Sequence, residues 1–310
     1  MRVTANAFSS SLIAQLNQLS TRQYQLQNQV STGQRITAPE DDPIAMQRTM
    51  DLNTAAAALQ QRSTNISNLQ DRSTLAYNSL KSLKTLSDRV GELATQADGT
   101  RSPEELKSYA TEITQIIQQA AQLMNTKGAN GYLFGGTQTD QPPFAVTTDA
   151  NGNVTGVTYQ GNSNVASSEI EPGVTLAVDV PGANTTGTGP RGMITDSRSG
   201  ADLFNHLISL QNHLLAGDTA SIAATDRSDL SKDEDNLTYQ IGTIGAVQTR
   251  LDSASSAAST QSDSLSQMIS KEAGADITST LVQLNQAQYA YQAALQSSTG
   301  LLQRSLLNYL

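Results

Sequence analysis

The chain has 310 residues, a formal net charge of -9 and no cysteine, and only 15% of its residues are charged, against about 25% in ordinary domains. Hydrophobic residues make up 37% and aromatics 4%, so long thin helices rich in Gln, Asn, Ser, Thr and Ala suit it better than a compact globule. The acidic balance argues against general nucleic-acid binding, which needs a basic face, and the missing cysteines exclude disulfides and thiolate chemistry.

Met1 to Phe8 lack the apolar core of a cleaved leader, and no stretch approaches the roughly 20 apolar residues of a membrane span. The chain is expected to be cytoplasmic or to leave the cell without leader cleavage. Its first helix is predicted over about residues 10–30. Leu12, Leu16, Leu19, Leu26 and Val30 repeat at heptad spacing, with Gln23 filling the gap. Gly33 suits a left-handed helix stop. Pro39 and Pro43 forbid helix through the following loop, and Asp42 before Pro43 reads as an N-cap with proline at the first helical position. The Asp41-Asp42 pair is read as a capped turn, since no third carboxylate or histidine stands at ligand spacing.

Helix is predicted from Pro43 to about Ala97, with its seam at Leu59, Ile66, Leu69, Ala76, Leu80, Leu83, Val90 and Ala94. Ser102, Pro103 and Glu105 form a capping box that opens the next helix, whose stripe is Leu106, Tyr109, Ile113, Ile116, Ala120 and Leu123. Beyond Lys127-Gly128 the spacing changes to alternation. Residues 144–147 and 154–159 flank Asp149-Ala150-Asn151-Gly152-Asn153, a hairpin signal, and Val174, Leu176, Val178 and Val180 alternate as a strand does. Residues 137–195 are therefore read as an inserted β domain.

Helix resumes near Asp202 with Leu203, Leu207, Leu210 and Leu214. His206 and His213 lie two turns apart, too far to share a metal on one helix, and solvent-exposed or capping roles are expected for them. Asp226, Asp229, Asp233, Glu234 and Asp235 lack the pattern of a calcium loop and suit the first turns of another helix. From Leu230 a heptad seam runs through Leu237, Ile241, Ile244, Leu251 and Ala258 to Ile269, largely of Ser and Ala in its middle. The last helix carries Ile277, Leu281, Leu284, Tyr291, Leu295 and Leu302, with Gln288 and Ser298 in the skipped positions. Only Asp276 and Arg304 are charged in residues 276–310, so this seam needs another helix to bury it, and the N-terminal stripe is the expected partner.

The fold class expected is mainly α with a small inserted β domain, an elongated antiparallel helical rod built as a coiled-coil bundle by the two terminal segments. Its parts are a terminal helix and loop over 1–42, rod helices over 43–136, the β insertion over 137–195, returning helices over 196–274 and a terminal helix over 275–310. No catalytic constellation, cofactor motif or metal set is present. Gly131 to Gly136 are glycine-rich but lack the Lys-Ser/Thr of a phosphate loop. No enzymatic activity is expected.

Residues 31–36, Ser-Thr-Gly-Gln-Arg-Ile, with 39–43, Pro-Glu-Asp-Asp-Pro, resemble the N-terminal signature of the flagellin-like axial proteins of the bacterial flagellum. The familiar form has Lys where Gln34 stands and Ser where Glu40 stands. Pro43 after the acidic pair, the stretch from Gly131 to Thr139 with Pro142-Pro143-Phe144, and the ending from Ser305 to Leu310 are similar to the hook-associated branch that joins hook to filament. The resemblance implies export through the flagellar type III apparatus, with an export chaperone, to an extracellular place in the flagellum. It further implies a homo-oligomeric ring between another hook-associated junction protein and flagellin, without nucleic acid or membrane insertion. Leu12, Leu16, Leu19, Leu26, Val30, Ile277, Leu281, Leu284, Tyr291, Leu295 and Leu302 are the expected subunit-packing residues. A filament-forming flagellin and a cytoplasmic coiled-coil scaffold are the alternatives.

Overall fold

A computed structural model describes residues 2–307, with side chains over 10–299. The helices are α1 (Arg2–Thr32), α2 (Pro43–Gln96), α3 (Pro103–Met124), α4 (Leu203–Ala216), the single turn α5 (Thr219–Ser221), α6 (Arg227–Ala273) and α7 (Ile277–Leu307). A π-helical turn, Ile222–Asp226, joins α5 to α6. The chain is mainly helical with small sheets between α3 and α4, as expected from the change in periodicity. No helix among the described residues is long and apolar enough to cross a membrane.

Two compact units are present. One holds residues 1–60 and 260–310, and the other holds residues 61–259.

The second unit has the substantial core. In it Ile66, Leu69, Ala76, Leu80, Leu83, Val90 and Ala94 are all buried, so the heptad spacing of α2 translates directly into one inward stripe. α3 starts where its sequence says. The Ser102 hydroxyl accepts the Glu105 amide and the Glu105 carboxylate accepts the Ser102 amide, completing the box. Leu203, Leu207, Leu210 and Leu214 bring α4 into the same core, with Leu230, Leu237 and Ile244 of α6.

Four small sheets lie between α3 and α4, reaching beyond the expected 137–195 on both sides. β1 (Lys127–Gly128) pairs with β2 (Gly131–Tyr132), and β3 (Phe144–Thr148) with β4 (Val154–Tyr159), the hairpin foreseen around Gly152. β5 (Ser168–Glu171) pairs with β6 (Val174–Leu176). β7 (Ala183–Asn184), β8 (Thr195–Asp196) and β9 (Ala201–Asp202) make a three-stranded mixed sheet. The alternation of residues 174–180 is cut short at Leu176. Val178 turns into the interior, and Asp179 reaches Arg72 of α2 at 2.7 Å. The glycines of 131–136 serve close packing. At Gly136, φ is +68° and a Cβ would stand 2.2 Å from the Asn162 carbonyl oxygen.

One buried amide ties the insertion to the helices. Gln211 of α4 accepts from the Thr114 hydroxyl of α3 at 2.8 Å and exchanges bonds with both backbone groups of Val154 on β4. The histidines depart from the solvent or capping roles expected of them. His206 and His213 pair with Asp233 and Asp226, two carboxylates that are buried rather than solvated in the first turns of a helix.

Candidate assembly surface

The first unit is built around the ends of the chain. Gly33 leaves α1 at φ +71°, and the strand-like step that follows meets the segment between α6 and α7. The Arg35 amide donates to the Ala273 carbonyl at 2.7 Å, and the Ala275 amide to the Gly33 carbonyl at 2.9 Å. The Arg35 guanidinium adds a bond to the Glu272 carbonyl. These contacts fix the end of α1 beside the start of α7, so the two run antiparallel.

The acidic loop is structural. Asp42 accepts the Ala45 amide and caps α2, while Asp41 accepts the amides of Thr37 and Ala38. Those amides, that of Thr37 first, hold the Asp41 carboxyl below its ordinary range. Asp276 caps α7 through the amides of Thr278 and Ser279. Among the described residues no three His, Cys, Asp or Glu come together to hold a metal ion.

α1 presents the stripe anticipated from its sequence. Leu26 is buried and Leu12, Leu16, Leu19, Gln23 and Val30 are half-buried. α7 behaves differently. Its inward positions are Thr280, Leu284, Ala287, Tyr291, Ala294 and Ser298, a face of mostly small side chains. The Thr280 and Ser298 hydroxyls bond to carbonyls one turn back, so both can turn inward with their polar atoms satisfied. The other half of the heptad seam points away. Ile277, Leu281 and Leu295 are 40%, 43% and 40% exposed, with Val282 and Tyr289 exposed beside them. Leu302 belongs to α7, but its side chain lies outside the described residues, as do the side chains of 305–307 and the whole of 308–310.

The resulting core is small. Leu26, Leu284 and Ala287 form its buried cluster, and Val30 packs against them. Of the fourteen exposed large apolar side chains among the described residues, only Leu75, Val146, Leu215 and Tyr239 belong to the second unit. Charge divides the other way. The first unit has six Lys and Arg against seven Asp and Glu, close to neutral, whereas the second has thirteen against twenty-one and a net charge of -8.

Residues 3–139 match the family model of the bacterial flagellin N-terminal helical region. The flagellar hook-associated protein 3 of Salmonella typhimurium is 26% identical over 185 residues, which are 59% of this chain and 56% of that protein. That of Escherichia coli is 33% identical over 119 residues, 38% of each. The chain thus spans about half the length, or less, of these curated relatives. Among solved structures, Bacillus cereus FlgL aligns with a TM-score of 0.56 at 20% identity, covering 71% of this chain and 99% of that one, which shows a shared fold. The loop after α1 and the stretch from Gly131 to Thr139, on which the resemblance was read, both lie within the matched residues: the chain is flagellin-like there and is similar to flagellar hook-associated protein 3.

Proposed function

We propose that this chain is a structural junction protein of the bacterial flagellum, joining hook to filament by self-association of its terminal helices. One observation carries the reading. Within α7 the small side chains face α1 while Ile277, Leu281 and Leu295 face outward, so the pair closes on itself with half of its apolar seam left for another surface. A monomeric protein rarely leaves such a stripe uncovered.

The division of charge supports the same reading. A nearly neutral, apolar unit can pack against copies of itself, whereas a unit of charge -8 repels its copies and suits the water-facing side of an assembly. In this scheme Ile277, Leu281, Leu295 and Leu302 are the residues that pack on other subunits, while Leu12, Leu16, Leu19, Leu26, Val30, Leu284 and Tyr291 of the expected set serve assembly by holding α1 and α7 together within the chain. The neighbours are other copies in a ring, a second hook-associated protein on one side and flagellin on the other. A thin seam that orders only in company also suits export in an unfolded state, with a chaperone, to the extracellular flagellum.

Two measurements test this. A strain lacking the chain should release flagellin into the medium and build no filaments, and the wild-type chain should restore them. Purified chain added to hook or filament seeds should add one layer and stop. Indefinite elongation would identify a filament-forming flagellin instead, and retention inside the cell would favour a scaffold.

A further inference from the structure

Two carboxylates buried in the second unit grip one helix. Asp226 closes the π-helical turn and Asp233 lies seven residues further on, in α6. The same interval separates His206 from His213 on α4, and the two helices meet in reversed order. The Nδ1 atom of His206 lies 2.8 Å from Asp233 Oδ2, and that of His213 lies 2.7 Å from Asp226 Oδ2. The remaining carboxylate oxygens are occupied from the same side. Asp233 Oδ1 accepts the amide of Asp202, the residue before α4, at 2.8 Å, and Asp226 Oδ1 accepts the Ser209 hydroxyl at 3.0 Å. All four oxygens therefore end on α4 or its first flanking residue.

A neutral imidazole can still donate through Nδ1–H, but it brings no charge to offset a buried anion. The proton on the ring therefore decides how well each carboxylate is tolerated. The bond to Asp233 raises the proton affinity of His206 despite opposing burial, and Asp229 and Asp202 add smaller contributions of the same sign. Asp229 is itself paired with Lys232. Burial pushes the Asp233 carboxyl up, against the opposing pull of His206. Around His213 stand Asp226 and, more weakly, Asp218. Both resolved shifts run in one direction, so the folded Asp233 pair holds its proton more firmly than the unfolded chain. Its stabilisation is complete below the ordinary imidazole value of 6.5 and is lost as pH rises through the raised one.

We propose that the His206–Asp233 contact, with His213–Asp226 bonded beside it, forms a proton-dependent latch: α4, with the β4 strand it holds through Gln211, docks firmly on α6 when the His206 imidazole is charged and loosens as it deprotonates. The body of α2 carries no such pair and stays ordered over the same pH range, whereas α3 is bonded to α4 through Thr114 and Gln211 and shares its response.

These two histidines are the only ones in the sequence, so imidazole NMR signals of the full chain report the two contacts alone. The expected result is a His206 titration above 6.5. Amide exchange across residues 203–216, corrected for its intrinsic pH dependence, should rise about tenfold from about pH 6 to about pH 8.5, while residues 76–94 of α2 stay constant. His206→Gln keeps a donor without a charge and should flatten that rise. Asp233→Asn removes the buried anion and should leave residues 203–216 protected at alkaline pH, which keeps the test open if the glutamine variant folds poorly. A His206 titration at the value of an exposed imidazole, unchanged protection of α4 across the range, or the wild-type slope in either variant would overturn the latch.

Discussion

Leu26 of α1 and Leu284 of α7, from opposite ends of the chain, are buried in the same apolar cluster, joined by Ala287 and flanked by Val30. Burying a leucine contributes about 1.5–3 kcal/mol, whereas ordering each backbone residue costs about 1–2 kcal/mol. Two 31-residue helices resting on so small a cluster are marginal by themselves. Copies that cover the outward seam would supply the balance.

Leu284→Ala should therefore separate the terminal pair while sparing the second unit. The expected loss is about 2–4 kcal/mol, comparable to everything the cluster contributes. Limited proteolysis should cut residues 10–32 and 277–299 much faster than in wild type, with the main melting transition unchanged.

Leu295→Asp tests the outward half of the same helix. At 40% exposure the change should alter monomer stability by no more than about 0.5 kcal/mol. Assembly onto seeds and motility should be lost, because a carboxylate would then be buried without a partner. Normal motility in such a strain would remove the seam from the argument.

Gln211→Ala should weaken the union of α3, α4 and the β3–β4 hairpin. The substitution removes the side-chain partner of the Val154 amide and carbonyl, while the Thr114 hydroxyl keeps its bond to the Ala110 carbonyl, and each unsatisfied buried group costs about 1–3 kcal/mol. Denaturant unfolding of the full chain should show a loss of about 2 kcal/mol or more in the transition of the second unit.

Gly136→Ala should damage the start of the insertion. The backbone there is left-handed, and the new methyl would meet the Asn162 carbonyl oxygen. A cost of about 1–3 kcal/mol is expected from the conformation alone, read as a lower melting temperature. A neutral result would mean that the 136–162 contact is easily rearranged.

Ser102→Ala removes one half of the α3 capping box and should cost about 1 kcal/mol, seen in thermal unfolding near neutral pH. The Glu105 carboxyl is held below its usual 4.5, first by the Ser102 amide, so its contribution is present above that value and fades as pH falls through the lowered one. Titration of Glu105 in the unchanged chain should show that depression directly.

The parts legible beforehand share one property: their causes are local. The Ser102 box needs only residues three apart, and the turn around Gly152 needs only its own glycine and the Asp149 carboxylate that accepts two amides across it. The stripe of α2 emerged intact because the periodicity of one helix sets which side chains share a face. The strand expected over residues 174–180 failed beyond Leu176 for a different reason. Asp179 has a partner on α2, more than a hundred residues earlier, and no alternation pattern can register that attraction.

From the amino-acid order alone came the long helices, their caps, the inserted strands and the resemblance of the chain's two ends to the flagellin-like family. Only the tertiary structure decided which edge of the α7 seam meets α1, and that Asp226 and Asp233 turn inward to His213 and His206. A helical pattern defines a stripe, but the rotation that selects one edge of it depends on a partner surface assembled from distant parts of the chain. For α7 that partner is α1, whose leucines leave room for Thr280, Ala287, Ala294 and Ser298 and so turn Leu281 and Leu295 toward water.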